Sequence, residues 1–181
     1  FPLPEDVEID TPTSPHVSIA QVVGAGGAAQ AAIHAASKAG YLKIELFNRS
    51  LDRARETAAR ASMSRKETHA LDELGPMPGG PDHPYFGWCG HFLVINASPM
   101  GMDGKPDVPI DLRHYPQDTI VFDMVYAPLE TGLLRSAREL GLRTIDGLQM
   151  LVGQAAKAFE IFFGEPAPRE NDVELRALLT A

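Results

Sequence analysis

Apolar and polar positions along this chain follow two periods, and each change of period marks an element. Residues 17–23, Val-Ser-Ile-Ala-Gln-Val-Val, are short, apolar and β-branched, which predicts a buried strand. They run straight into Gly24-Ala25-Gly26-Gly27. An alanine-rich helix is predicted from there to about Ala39, with Gly40 where a helix-ending glycine belongs. Residues 42–47 predict a second strand, and residues 51–61 a helix with charges on its outer face. Strand, helix and strand within about 30 residues make a βαβ unit, whose crossover implies parallel strands. Three more apolar segments, 92–95, 119–122 and 142–144, predict strands. Between the last two, positions 129, 133, 134, 137 and 140 share one helical face, with Pro128 at its start and Gly141 at its end. A final long helix is predicted from about Asp146 to Phe163. Asp146 and Gln149 form a capping box, and Leu148, Leu151, Val152, Ala155, Phe159 and Phe162 form its buried stripe. Gly164 and Pro166 stop it, and residues 171–179 suit a short terminal helix.

This alternation predicts an α/β fold: a Rossmann-like, doubly wound, mainly parallel sheet with helices on both faces. Residues 1–16, with prolines and acids but no period, read as an N-terminal arm or linker. Residues 17–164 form the expected domain, and 165–181 a tail. Nine of the sixteen residues from Gly75 to Gly90 are Gly or Pro, so this stretch is expected to be an inserted loop.

Composition narrows the possibilities. At 181 residues the chain can bury a core without disulfides or metals. Its formal charge of −8 argues against a nucleic-acid partner, which would call for a basic patch. No apolar run approaches a membrane span, and no basic segment precedes an apolar one as in a signal peptide. Cys89 is the single cysteine, so no internal disulfide forms, and a cytoplasmic location is expected. His83, Cys89 and His91 lack zinc-ligand spacing, so no metal is expected. The first residue is Phe1 rather than Met, which leaves open a piece of a longer protein.

In this kind of sheet, ligands bind at the carboxyl ends of the strands. Gly24, Ala25, Gly26, Gly27 and Ala28 follow a strand and open a helix. Small residues there let backbone N–H groups approach a pyrophosphate, which the helix N-terminus stabilises. The end of the second strand selects between cofactors. An NAD site usually places an acid there to accept from the ribose hydroxyls. This chain instead has Asn48, Arg49 and Ser50, with Arg53 one turn on, and Glu45 falls too early, within the strand. Two arginines and a hydroxyl suit a 2′-phosphate, so NADP is the expected cofactor.

Taken together these segments resemble the shikimate dehydrogenase family. They are the Gly24–Ala28 loop, Asn48-Arg49-Ser50 with Arg53, Asn96-Ala97-Ser98-Pro99-Met100-Gly101-Met102, Asp123-Met124-Val125-Tyr126-Ala127-Pro128, and the helix beginning Asp146-Gly147 and reaching Gln154-Ala155. They occur in family order. Gln149 stands where Gly is commoner, and Gly153 varies a loose position. The resemblance implies cofactor contacts from Gly24 to Ala28, from Asn48, Arg49, Ser50 and Arg53, and from Ser98, Met124 and Gly147. It implies that Tyr126 and Gln154 reach a small-molecule substrate, shikimate or 3-dehydroshikimate. It also implies a catalytic Lys/Asp pair on a preceding substrate domain, and neither motif lies in this chain. Of Lys38, Lys43, Lys66, Lys105 and Lys157, Lys157 alone is a conceivable substitute. The chain is therefore expected to supply no catalytic acid, to be inactive alone, and to self-associate through apolar surface that such a domain would cover. Other readings stay open: a quinate/shikimate dehydrogenase, or a stand-alone NADP-binding sensor or pseudoenzyme.

Overall fold

The computed structural model describes residues 18–61, 65–74 and 91–179. Expectations for the 1–16 arm, the 75–90 loop, His83 and Cys89 lie outside the described residues. The strands are β1 (Ile19–Val23), β2 (Lys43–Asn48), β3 (Lys66–Ala70), β4 (Phe92–Asn96), β5 (Ile120–Asp123) and β6 (Arg143–Ile145). The helices are α1 (Gly27–Lys38), α2 (Leu51–Arg60), α3 (Gly132–Glu139), α4 (Gly147–Phe163) and α5 (Asp172–Leu179).

The six strands form one sheet in the order β3-β2-β1-β4-β5-β6, and every neighbouring pair is parallel. Parallel strands covered on both faces read as continuous apolar runs, which is why every residue of β1 and β4 is buried. Alternate side chains feed two cores. On one face Ala20, Val22, Ile44, Leu46, Leu93, Ile95 and Phe122 meet Ala29, Ala32 and Ile33 of α1, Ala54 and Ala58 of α2, and Met150 of α4. On the other, Val23, Phe47, Val94 and Val121 meet Leu133, Leu134 and Ala137 of α3, with Leu112 and Tyr115 from the segment before β5. The sheet order reverses between β1 and β4, so a crevice opens at their carboxyl ends.

Three features differ from the sequence pattern. β3 is a strand that the pattern does not announce. Its residues Lys66-Glu67-Thr68-His69-Ala70 are mostly polar because β3 lies at the sheet edge. α3 starts later than Pro128 suggests: Thr131 is its cap, with Oγ accepting from the Leu134 N–H. Of the expected apolar stripe of α4 only Leu148 is buried, while Leu151, Val152 and Phe159 are half-buried; Met150, outside that stripe, is buried in the same turn as Leu148. Ala155 is exposed, as are Ile161, Phe162 and Phe163, and these four lie outside both cores.

α4 opens as its sequence predicts. The Asp146 carboxylate accepts from the Gln149 N–H, while the Gln149 side chain accepts from the Asp146 N–H. A feature of tertiary origin adds to this cap. Arg176 of α5 donates to both Asp146 oxygens, at 3.0 and 2.5 Å. Burial would raise the Asp146 carboxyl, but the hydrogen bonds from Arg176 and Gln149 outweigh it and hold the group below its ordinary value. A carboxylate depressed in the folded state contributes stability above its unfolded pKa and loses it as pH falls through the folded one. Arg176→Ala is therefore expected to cost about 1–2 kcal/mol near neutral pH. Thermal unfolding should show a loss of about 3–6 °C that narrows in acid. An unchanged midpoint at pH 7 would show that α5 does not brace the α4 N-terminus.

Candidate functional site

The crevice is built by the turn between β1 and α1. Gly24 is buried and adopts φ +112°, the left-handed region. A Cβ there would lie 2.7 Å from the Ala97 carbonyl oxygen, so the post-β4 backbone presses directly on the turn. Two hydrogen bonds lock this contact, from Gly24 N–H to Phe47 O and from Ala97 N–H to Val23 O. Gly26 and Gly27 differ from Gly24: a Cβ at either would meet nothing within 4 Å, because both face open space. Gly26 is the cap residue of α1 and supplies no side-chain cap, and the first turn of α1 carries no acid. The turn thus offers a small-residue cradle beside an uncapped helix N-terminus, a fit for a pyrophosphate. Thr57 of α2 braces it from behind, donating from Oγ1 to Ala25 O at 3.0 Å.

One cleft of about 360 Å³ joins this cradle to the end of β2 and the post-β4 loop. Its walls include Gly24 through Ala28, then Asn48, Arg49 and Arg53, and Ala97 through Met100 with Ser98 among them. Arg49 and Arg53 are exposed at its rim. Ser50 does not line the cleft. It caps α2, its Oγ accepting from the Arg53 N–H, and its carbonyl accepts from Asn48 Nδ2. Glu45 is not available to the cleft either. Its carboxylate accepts from Gln21 Nε2 at 2.9 Å and pairs with Lys43 at 2.8 Å. Glu45, Glu67 and His69 bring ligand atoms within 4.8 Å of one another, but the Lys43 ammonium already pairs with both carboxylates.

The remaining predicted residues sit at the β5 and β6 ends. Met124 is half-buried beside Gly147: a Cβ on Gly147 would lie 2.7 Å from Met124 O and closer still to Val125 O. The α4 N-terminus therefore rests on the post-β5 backbone and admits only glycine. Tyr126 follows this contact and is 56% exposed. Gln154 is exposed on α4. Among the described residues no hydrogen bond joins Tyr126 to Gln154. Lys157 pairs with Glu160 at 2.7 Å and does not line the cleft.

The residues that hold these loops escaped the sequence pattern. Asn96, Asp123 and Thr131 are fully or almost fully buried. Asn96 Nδ2 donates to Asp123 Oδ1 at 2.9 Å and to Met100 O at 2.8 Å, and its Oδ1 accepts from Ser98 N–H and Oγ–H. Ser98 thereby serves the loop as well as the cleft wall. Asp123 also accepts from Val125 N–H at 3.0 Å and from Thr131 Oγ–H at 2.6 Å. Burial pushes the Asp123 carboxyl above its ordinary value, and the donors from Thr131, Val125 and Asn96 oppose that without cancelling it. The signal for this trio was present in the two motifs that end β4 and β5, but only their cofactor- and substrate-facing residues carried an expectation.

A wholly parallel sheet in this strand order, with a glycine turn at its point of reversal, defines a Rossmann-like α/β domain. Comparison with known proteins narrows it. Residues 147–172 match the family model described as the shikimate 5′-dehydrogenase C-terminal domain. The chain is 46% identical over 160 residues to a shikimate dehydrogenase (NADP(+)) from Sphingopyxis alaskensis, covering 88% of this chain and 53% of that protein. Among solved structures it resembles a shikimate 5-dehydrogenase from Thermus thermophilus in complex with NADP(H) and shikimate. There the TM-score is 0.62 at 29% identity, over 82% of this chain and 50% of that one. It also resembles a quinate dehydrogenase from Corynebacterium glutamicum in complex with NAD, with TM-score 0.64 at 28% identity, over 84% and 52%. In sequence and fold, this chain is similar to the shikimate dehydrogenases, and its match to their family model falls in the C-terminal domain. It spans about half the length of the relatives it matches.

Proposed function

We propose that this chain is the NADP-binding part of a cytoplasmic shikimate dehydrogenase, which reduces 3-dehydroshikimate reversibly to shikimate. The observation that carries the reading is the continuous cleft joining the glycine cradle to Arg49 and Arg53. The cradle accepts a pyrophosphate through backbone N–H groups, and two guanidinium groups suit a 2′-phosphate. With Glu45 held by Gln21 and Lys43, no acid among the described residues lines the cleft to receive the bare ribose of NAD. The same feature weighs against the quinate-using, NAD-bound relative as the nearer functional match.

When bound, NADP supplies or accepts the hydride. This chain's residues bind and orient it. Gly24 to Ala28 hold the pyrophosphate, while Asn48, Arg49 and Arg53 hold the adenosine phosphate, with Ser50 acting by capping α2. Ser98, Met124 and Gly147 border the nicotinamide side. Tyr126 and Gln154, both exposed, are assigned to the substrate. Hydride transfer to a ketone also needs a proton at the forming alkoxide, and a positioned acid accelerates such steps by about 10²–10⁴. None of the five lysines lines the cleft: Lys43 is paired on β2, Lys66 donates to the Ala58 and Ala61 carbonyls, and Lys157 pairs with Glu160. The acid is proposed to come from a substrate domain outside these 181 residues, whose docking would also cover the exposed apolar residues of α4 and α5.

Absorbance at 340 nm tests this. With shikimate and NADP⁺, the 181-residue chain is expected to bind cofactor yet produce no NADPH. Steady turnover would overturn the assignment of the acid to another domain, and loss of that turnover in Lys157→Ala would name the substitute.

A further inference from the structure

Asp123 ends β5 with no exposed surface, so it cannot touch a cofactor in the cleft. Its carboxylate nevertheless joins the post-β4 loop, which lines the cleft, to the turn after β5 and to the start of α3. Through Asn96 it fixes the post-β4 loop, since the same Asn96 Nδ2 that donates to Asp123 also donates to Met100 O. Through the Val125 N–H it fixes the turn carrying Met124 and Tyr126. Through Thr131 it fixes the start of α3, because the Thr131 hydroxyl that donates to Asp123 Oδ2 accepts from Leu134 N–H. Gly101, at φ +87°, closes the arrangement from above: a Cβ there would lie 3.2 Å from Thr131 Cβ and 3.9 Å from Asp123 Oδ2. Val125 passes the order onward, since its carbonyl is the surface on which Gly147 and the α4 N-terminus rest.

All of these loops lie on the β4, β5 and β6 side of the crevice. The arginines lie at the β2 end, three strand spacings from β5, or roughly 14 Å. We infer that Asp123 is a positioning residue for the nicotinamide half of the dinucleotide. By taking the donors of Asn96, Val125 and Thr131 on one buried carboxylate, it sets the gap between the 97–101 loop and the 124–126 turn. The inference rests on the NADP reading above and adds a division of labour within it. The adenosine phosphate is held at β2 independently of Asp123, and the nicotinamide end depends on it.

Asp123→Asn isolates this role. The asparagine oxygen can still accept from Asn96 and Val125, but its NH₂ faces the Thr131 hydroxyl, which already accepts from Leu134 and loses its own acceptor. Two probes separate the halves of the site: NADP⁺, and 2′,5′-ADP, which lacks the nicotinamide half. Calorimetric titration of the full chain is expected to show NADP⁺ affinity falling about tenfold in Asp123→Asn while 2′,5′-ADP affinity stays within twofold. Equal losses for both probes, or no loss for either, would overturn the inference. So would a wild-type chain that binds NADP⁺ no more tightly than 2′,5′-ADP, since no nicotinamide contact would then exist to position. A wild-type chain that binds neither probe would instead remove the NADP reading itself. Should Asp123→Asn fail to fold, Thr131→Val removes only the hydroxyl link and is expected to give a smaller loss confined to NADP⁺. Wild-type NADP⁺ affinity in that variant would overturn the inference, and Thr131→Ser, which restores the hydroxyl, should recover it.

Discussion

Replacing Arg49 and Arg53 together by alanine is expected to weaken NADP⁺ binding on the order of 10²–10⁴-fold and to leave NAD⁺ binding within about threefold, because each charge-assisted hydrogen bond to a phosphate contributes about 1.5–3 kcal/mol. Both side chains stand exposed at the cleft rim, so the double variant loses little packing. Its unfolding midpoint should match the wild type within about 2 °C, since surface changes of this kind fall within about 0.5 kcal/mol. The discriminating quantity is the ratio of the two affinities. A uniform loss for NADP⁺ and NAD⁺ would place the arginines on a phosphate common to both. No loss at all would remove them from the site.

Gly24→Ala should be the most damaging single substitution in the cofactor turn. The residue occupies φ +112°, where a side chain is strained by about 1–2 kcal/mol. The new Cβ would lie 2.7 Å from the Ala97 carbonyl oxygen, and relieving that overlap costs about another 1–3 kcal/mol. A chain of this size should lose about 6–15 °C in unfolding midpoint. Because the turn must open, NADP⁺ binding should fall below detection even at temperatures where the variant is folded. Gly26→Ala serves as the comparison. Its Cβ would meet open space, so stability should be nearly unchanged while binding weakens, the methyl group occupying room that a pyrophosphate needs. Equal thermal losses at the two positions would contradict this division between a packed glycine and an open one.

Those two glycines also show what the sequence makes legible. The motif Gly24-Ala25-Gly26-Gly27 after a β-branched run identifies the turn and its phosphate chemistry, because strand, turn and helix N-terminus are contiguous in the chain. It does not say which glycine is packed, since the residue pressing on Gly24 is Ala97, brought there by the pairing of β1 with β4. β3 was invisible for a related reason: its polar residues take their strand geometry from register with β2, as in Phe47 opposite His69, and not from their own pattern. The α4 stripe misled in the opposite sense. Helical periodicity marks Phe159 and Phe162 as one face but does not say what covers it, and Phe162 is 82% exposed. Thr57 on Ala25, Asp123 with Asn96 and Thr131, and Arg176 on Asp146 are hydrogen bonds across 8 to 32 residues of chain, which only the assembled fold brings within reach. Most residues lining the cleft were readable from motifs, whereas most of those that hold them in place were not.

The cleft at the β1–β4 switch point is proposed to select NADP over NAD. Calorimetric titration of the chain with each dinucleotide tests it most directly. The expected result is one site per chain for NADP⁺, with NAD⁺ weaker by on the order of 10²-fold or more because it lacks the 2′-phosphate. Equal affinity for the two dinucleotides, or no saturable binding of NADP⁺, would contradict it.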